Sequence, residues 1–229
     1  MIQFIASTKE SFSSASNTPN PLNAFTPTTT HTQTQAITPT PTDTPIPTPS
    51  ATPTPTPFTY VADWSHGPNG WAVNDVWRVY GGALHSSGTG EIPFPFQLNP
   101  SPSGTTDYTV EWKSTVIDNS GGFGVSVRAG NDGSTYGYHI SFNDQDINQD
   151  VWVGIFDNPG YLNGDHRKLF TVGPGEHDFI VSVKANLITI KVDGSQVMQV
   201  QDNTYPIGGS SSFFAGGQVN ITYLKVTQQ

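Results

Sequence analysis

Five side chains invite a chemical reading: Trp152, Arg128, His139, Glu111 and Lys113. Each sits among apolar residues in a run that alternates with a period of two, so parity assigns it a side. In 151–156 the inward set is Val151, Val153 and Ile155, which leaves Trp152, Gly154 and Phe156 outside. In 123–128 the residues Phe123, Val125 and Val127 turn in, and Gly124, Ser126 and Arg128 turn out. In 136–142 Tyr136, Tyr138, Ile140 and Phe142 turn in, leaving Gly137, His139 and Ser141 outside, while 108–116 sends Glu111 and Lys113 out. If these four runs are neighbours in one curved sheet, its outer face gathers all five side chains. An exposed indole offers its face to the C–H side of a sugar ring, and fixed charged groups meet the hydroxyls. The expected ligand-binding set is therefore Trp152, Arg128, His139, Glu111 and Lys113, with Trp152 as the platform. A second arrangement stays open: the segment 157–170 covers Trp152, and Arg128 simply pairs with Glu111.

Other chemistry finds less support. Asp144, Asp146 and Asp150 place oxygen donors at intervals along 144–150, a spacing that suits a hard cation such as Ca²⁺. The run lacks the glycine at its sixth position and the distant glutamate of a helical calcium loop. A solvated acidic hairpin end is the favoured reading, with no cofactor expected. Glycoside hydrolysis needs two carboxyl groups flanking the bond, yet Glu91, Glu111 and Glu176 fall in three different segments. No Gly-x-Ser-x-Gly elbow occurs, and with no cysteine at all there is neither thiol catalysis nor a disulfide. No catalytic residue is assigned.

The elements that must position these groups read as strands throughout. Besides the four runs above, 179–184, 187–192, 196–200 and 219–226 carry β-branched and aromatic residues in alternation. Asn131-Asp132-Gly133, Ala185-Asn186 and Asp193-Gly194 supply turns. No run sustains a 3.6-residue apolar period. Many short strands with Gly- and Pro-rich connections make an all-β antiparallel sandwich or barrel.

These strands occupy only part of the 229 residues. Residues 1–57 carry three charged side chains, Lys9, Glu10 and Asp43, and none of the five tryptophans. Such a segment cannot bury enough apolar surface to offset the entropy of folding. From Thr26 to Pro57 it becomes nearly alternating Thr-Pro, which favours extended polyproline II and a semi-rigid spacer. The chain therefore divides into a disordered Thr/Pro-rich stalk, 1–57, and a folded domain, 58–229. The formal charge of −9 excludes a basic stripe, since Arg167 and Lys168 are the domain's one adjacent cation pair. Nucleic acid and anionic membranes are not expected partners. The opening Met-Ile-Gln-Phe-Ile-Ala has too short an apolar patch for an export signal or a membrane span.

The order of motifs resembles a known family. Asp63-Trp-Ser, Gly70-Trp71, Trp77 and Gly81-Gly82-Ala-Leu84 are similar to the opening of concanavalin A-like domains. The likeness runs on through Asp107-Tyr-Thr-Val, 122–128 and 136–140, then Glu176-His-Asp-Phe-Ile-Val, Ile190-Lys-Val-Asp-Gly194 and 202–209. It covers 58–229 and looks like the laminin-G-like and keto-disaccharide-hydrolase-like branch. The resemblance implies a two-sheet antiparallel jelly-roll sandwich, with glycan recognition as its commonest role. Thr-Pro spacers before such domains resemble those of bacterial surface proteins. The function expected is an extracellular or cell-surface carbohydrate-binding module on a stalk, its partner a glycan or polysaccharide. The alternatives are a ligand-sensing or adhesion domain of a larger surface protein or sensor kinase, and a sugar-processing hydrolase of the keto-disaccharide type.

Overall fold

Alternation along Tyr108–Val116 sets the plan of the domain. Tyr108, Val110, Trp112, Ser114 and Val116 are buried, and the residues between them are half-exposed. A strand that buries one face and wets the other must lie in a sheet with a second layer on one side. The computed structural model describes residues 57–101, 104–117, 121–130, 136–144, 150–157 and 160–229, with the backbone alone described at 144, 150, 156–157 and 160–165. The expected stalk, 1–57, lies outside the described residues apart from Pro57.

Among the described residues there are strands and no helix. They are β1 (Thr59–Val61), β2 (Trp77–Tyr80), β3 (Ala83–Ser87), β4 (Gly90–Pro93), β5 (Tyr108–Val116), β6 (Phe123–Ala129) and β7 (Tyr136–Asp144). β8 (Asp150–Asp157), β9 (Gly160–Lys168), β10 (Gly175–Lys184), β11 (Leu187–Val192), β12 (Ser195–Gln201), β13 (Ser210–Ala215) and β14 (Gln218–Gln228) complete the set. One sheet has eight strands in the order β12-β11-β10-β5-β14-β3-β2, with β1 added along β14. The other has six, in the order β4-β13-β6-β7-β8-β9. Every pairing between them is antiparallel. The architecture is an all-β two-sheet jelly-roll sandwich.

Aromatic side chains join the layers. Trp112 on β5 stacks on Phe179 of β10 at 4.9 Å and meets Phe213 of β13 edge-on at 5.7 Å. Phe179 in turn meets Phe123 and Phe142 of the six-stranded sheet at 5.5 and 5.0 Å. Each fully buried side chain of this size contributes about 1.5–3 kcal/mol relative to exposure. All five tryptophans are buried.

Two left-handed residues interrupt the ladder. Arg128, at φ 51°, lies where β6 shifts register against β13, and Asn143, at φ 56°, lies where β7 shifts against β8. Each extra residue reverses the parity of the strand beyond it. Asn143 turns inward and holds Val172 at both ends, its Nδ2 donating to the carbonyl at 2.7 Å and its Oδ1 accepting from the amide at 2.8 Å.

Candidate functional site

The outer face of the six-stranded sheet is built from alternate residues of its strands. One cross-strand row reads Glu91 (β4), Phe214 (β13), Gly124 (β6), Ser141 (β7) and Trp152 (β8), with Arg167 of β9 opposite Trp152. The next row holds Ser212, Ser126, His139 and Gly154. Small residues at the centre let the large rings of the flanking strands lie down on the sheet. A Cβ at Gly124 would stand 2.8 Å from Cζ of Phe214, and one at Gly154 would stand 2.2 Å from Cζ2 of Trp152. Both glycines are seats for rings.

Phe214 therefore lies over Gly124 and stacks on the His139 imidazole, ring centres 3.6 Å apart and planes 20° apart. His139 also contacts Ser126, Nδ1 to Oγ at 3.1 Å, and meets the Trp152 indole edge-on at 5.7 Å. Burial among these rings disfavours the charged imidazolium and lowers the His139 pKa to about 3. At neutral pH the ring is a neutral donor and acceptor. The Ser212 hydroxyl donates to the Glu91 carboxylate. Glu91 is exposed, and Phe214, His139 and Ser126 are half-buried. This open strip combines a two-ring stack, a hydroxyl, a neutral imidazole and one carboxylate.

Of the five side chains expected here, the structure brings two together, His139 and Trp152. Trp152 does leave the core, as parity required, but it is not an exposed platform: it is 5% accessible. Its ring folds along its own strand over Gly154, so the indole is part of the floor. The segment 157–170 contains β9, which pairs with β8 and brings Arg167 opposite Trp152.

Arg128 is not on this face at all. The bulge turns it inward, where it is fully buried. Its Nε donates to the Thr106 carbonyl at 3.0 Å, Nη1 to the Ala185 carbonyl at 2.7 Å, and Nη2 to Asp107 Oδ1 at 3.1 Å. Its partner is Asp107 rather than Glu111. Glu111 and Lys113 lie on β5, hence on the outer face of the other sheet, where Glu111 pairs with Lys225 at 3.4 Å and Lys113 with Asp178 and Glu176 at 3.4 and 3.5 Å. Side-chain hydrogen bonding to Asp178, then the charges of Asp178 and Glu176, raise the Lys113 pKa. Tyr136, expected inside, is 37% exposed and stacks on Tyr205 at 5.3 Å.

Glu91, Ser212 and Phe214 are absent from the expected set, because Ser210-Ser-Ser-Phe-Phe-Ala215 puts serine and phenylalanine on both faces and leaves its outward side unmarked. Of the acidic run, the backbones of Asp144 and Asp150 pair, while Asp146 and all three side chains lie outside the described residues. Among the described residues no three His, Asp or Glu side chains gather as a metal site. No helix among these residues is long and apolar enough to cross a membrane, since they contain strands alone.

No protein-family model matches the chain, and no curated protein matches its sequence. Solved structures do match its fold. A carbohydrate-binding module, CBM66 from Bacillus subtilis, superposes with a TM-score of 0.53 at 18% identity, covering 68% of this chain and 94% of the module. The β-glucanase of Bacillus licheniformis gives 0.53 at 13% identity over 75% of this chain and 98% of the enzyme. The potassium-bound carbohydrate recognition domain of Emp46p gives 0.51 at 12% identity over 69% of this chain and 88% of that domain. The shared feature is the antiparallel two-sheet jelly-roll sandwich.

Proposed function

We propose that this chain is a carbohydrate-binding module that holds a neutral glycan along the outer face of its six-stranded sheet. One observation carries the reading: the half-open Phe214–His139 stack beside the Ser126 hydroxyl and the Glu91 carboxylate. Sugar rings present an apolar C–H face and a rim of hydroxyls. The stack supplies apolar ring surface, and the neighbouring oxygen and nitrogen atoms supply both donors and acceptors. A neutral imidazole adds no charge for the ligand to match. The similar fold of a carbohydrate-binding module and a carbohydrate recognition domain supports the same reading. The Glu91 carboxylate, already accepting from the Ser212 hydroxyl, offers a sugar hydroxyl an acceptor at the edge of this face.

In this reading the Thr/Pro-rich segment 1–57 is a spacer that displays the module at or beyond a cell surface. The test is a glycan-array screen of the full chain, followed by calorimetric titration with each neutral oligosaccharide retained. Phe214→Ala should weaken binding by about tenfold or more, as for an aromatic anchor. Unchanged affinity in that variant, or an array on which no glycan is retained, refutes the assignment.

A further inference from the structure

A cavity lies on the outer face of the eight-stranded sheet, on the opposite side of the sandwich from the Phe214 strip. It measures about 350 Å³, within the range of ligand pockets, and Asp75, Arg78, Tyr80, His85, Ile117 and Asn220 line it. Its construction begins with Gly81-Gly82. Both have positive φ, 59° and 78°, the conformation of a two-residue type I′ turn, and they join β2 to β3 with Tyr80 opposite Ala83. Trp77 goes to the core, so Arg78 and Tyr80 face out. His85 is opposite Arg78 on one side and Asn220 of β14 on the other.

The tight hairpin lays the Tyr80 ring on the His85 imidazole, 3.6 Å between centres and 6° between planes. His85 cannot turn: Nε2 meets the Tyr80 carbonyl at 3.0 Å and Nδ1 meets Asn220 Oδ1 at 2.6 Å. With Asn220 Oδ1 turned to the imidazole, the Asn220 NH₂ is the group left for a ligand. Tyr80 nevertheless remains 61% exposed, and Ile117 at the end of β5 is 46% exposed. Arg78 and Asp75 are exposed, and neither forms an ion pair among the described residues. A large ring held rigid yet left open, beside uncommitted polar groups of both signs, is what a sugar ring requires.

We infer that this cavity is a second glycan-binding site, taking one neutral sugar ring with its C–H face on Tyr80 and its hydroxyls on Asn220, Arg78 and Asp75. The inference rests on the glycan-binding reading above and adds a face to it. A module with sites on both sheets holds two glycan chains at once, and so cross-links them or gains avidity on an insoluble polymer.

The experiment is amide chemical-shift mapping of the full chain with cellotetraose, laminaritetraose, xylotetraose and nystose, each added separately. The expected result is saturable shifts at Tyr80, His85 and Asn220 that persist in Phe214→Ala and vanish in Tyr80→Ala. Tyr80→Phe should retain them, since stacking needs no hydroxyl. Asn220→Ala should weaken that set about tenfold while leaving shifts at Ser126 and His139 intact. Shifts at Ser126, His139 and Phe214 with none around Tyr80 overturn the second site and leave the first standing. Shifts at neither set overturn both. Shifts around Tyr80 alone uphold the second site and displace the first.

Discussion

Gly154 lies directly beneath the indole of Trp152, so that a Cβ there would stand 2.2 Å from Cζ2. The two residues form one unit, the glycine vacating the space that the ring fills. Gly154→Ala should therefore destabilise the domain by about 1–3 kcal/mol through overpacking. Trp152→Ala should cost about 3–5 kcal/mol, as for a buried aromatic. Urea denaturation measures both, and a Trp152→Ala variant as stable as the parent would mean that the indole is not buried.

Arg128 gives the largest expected effect outside the aromatic core. Its guanidinium joins the carbonyls of Thr106 and Ala185 to the Asp107 carboxylate, and its backbone amide donates to the Tyr108 hydroxyl at 2.6 Å. Arg128→Ala strands these buried acceptors and should cost about 3 kcal/mol or more. Arg128→Lys should recover little, because an ammonium cannot reproduce the planar fork. The midpoint of chemical unfolding of the two variants decides this. Full rescue by lysine would reduce the role to charge alone.

The half-buried imidazole of His139, covered by the Phe214 and Trp152 rings, makes stability depend on pH. In the unfolded chain a histidine takes up its proton near pH 6.5, whereas in the folded domain His139 stays neutral down to about 3. Between these values the unfolded state binds more protons, so this residue's contribution is present above about pH 6.5 and is lost progressively as pH falls toward 3. Unfolding midpoints at about pH 7.5 and about pH 4.5 should differ less in His139→Gln than in the parent. An identical difference in the two proteins would show that His139 does not carry it.

Glu111 belongs to the other sheet, paired with Lys225 at 3.4 Å with both side chains about one-third exposed. Glu111→Gln should leave affinity at the Phe214 face within about twofold and stability within about 1 kcal/mol, the ordinary worth of a surface ion pair. Calorimetric titration beside Phe214→Ala makes the comparison. A loss as large as that of Phe214→Ala would place Glu111 at the ligand after all.

Within single strands, much of the fold is legible in the order of residues alone. Period-two alternation identifies β5, β6, β7, β8, β10, β11, β12 and β14, and it correctly sends His139 away from the core and Val151, Val153 and Ile155 into it. The strands it misses have weak local signals. β9, Gly-Tyr-Leu-Asn-Gly-Asp-His-Arg-Lys, has few apolar residues to alternate, and β2, β3 and β4 are only four, five and four residues long. β13 hides its alternation behind three consecutive serines.

Tertiary structure alone decided which of these faces meet. Parity says that Glu111 and His139 both point outward, but outward has two meanings in a two-sheet fold. Sheet membership is settled by pairing between residues far apart in sequence: β5 chose β10 and β14, and β7 chose β6 and β8. Likewise the Arg128 side chain turned inward because one extra residue at φ 51° reversed the strand's parity, and nothing in Phe-Gly-Val-Ser-Val-Arg announces that bulge. Finally, alternation specifies the side on which a ring leaves the sheet and not whether it stands or lies. Trp152 lies flat because Gly154 leaves room two residues ahead, and Phe214 does so because a glycine on the neighbouring strand, Gly124, leaves room beneath it. The local period of the backbone is written in the chain, whereas ring burial depends on the space that neighbouring strands leave.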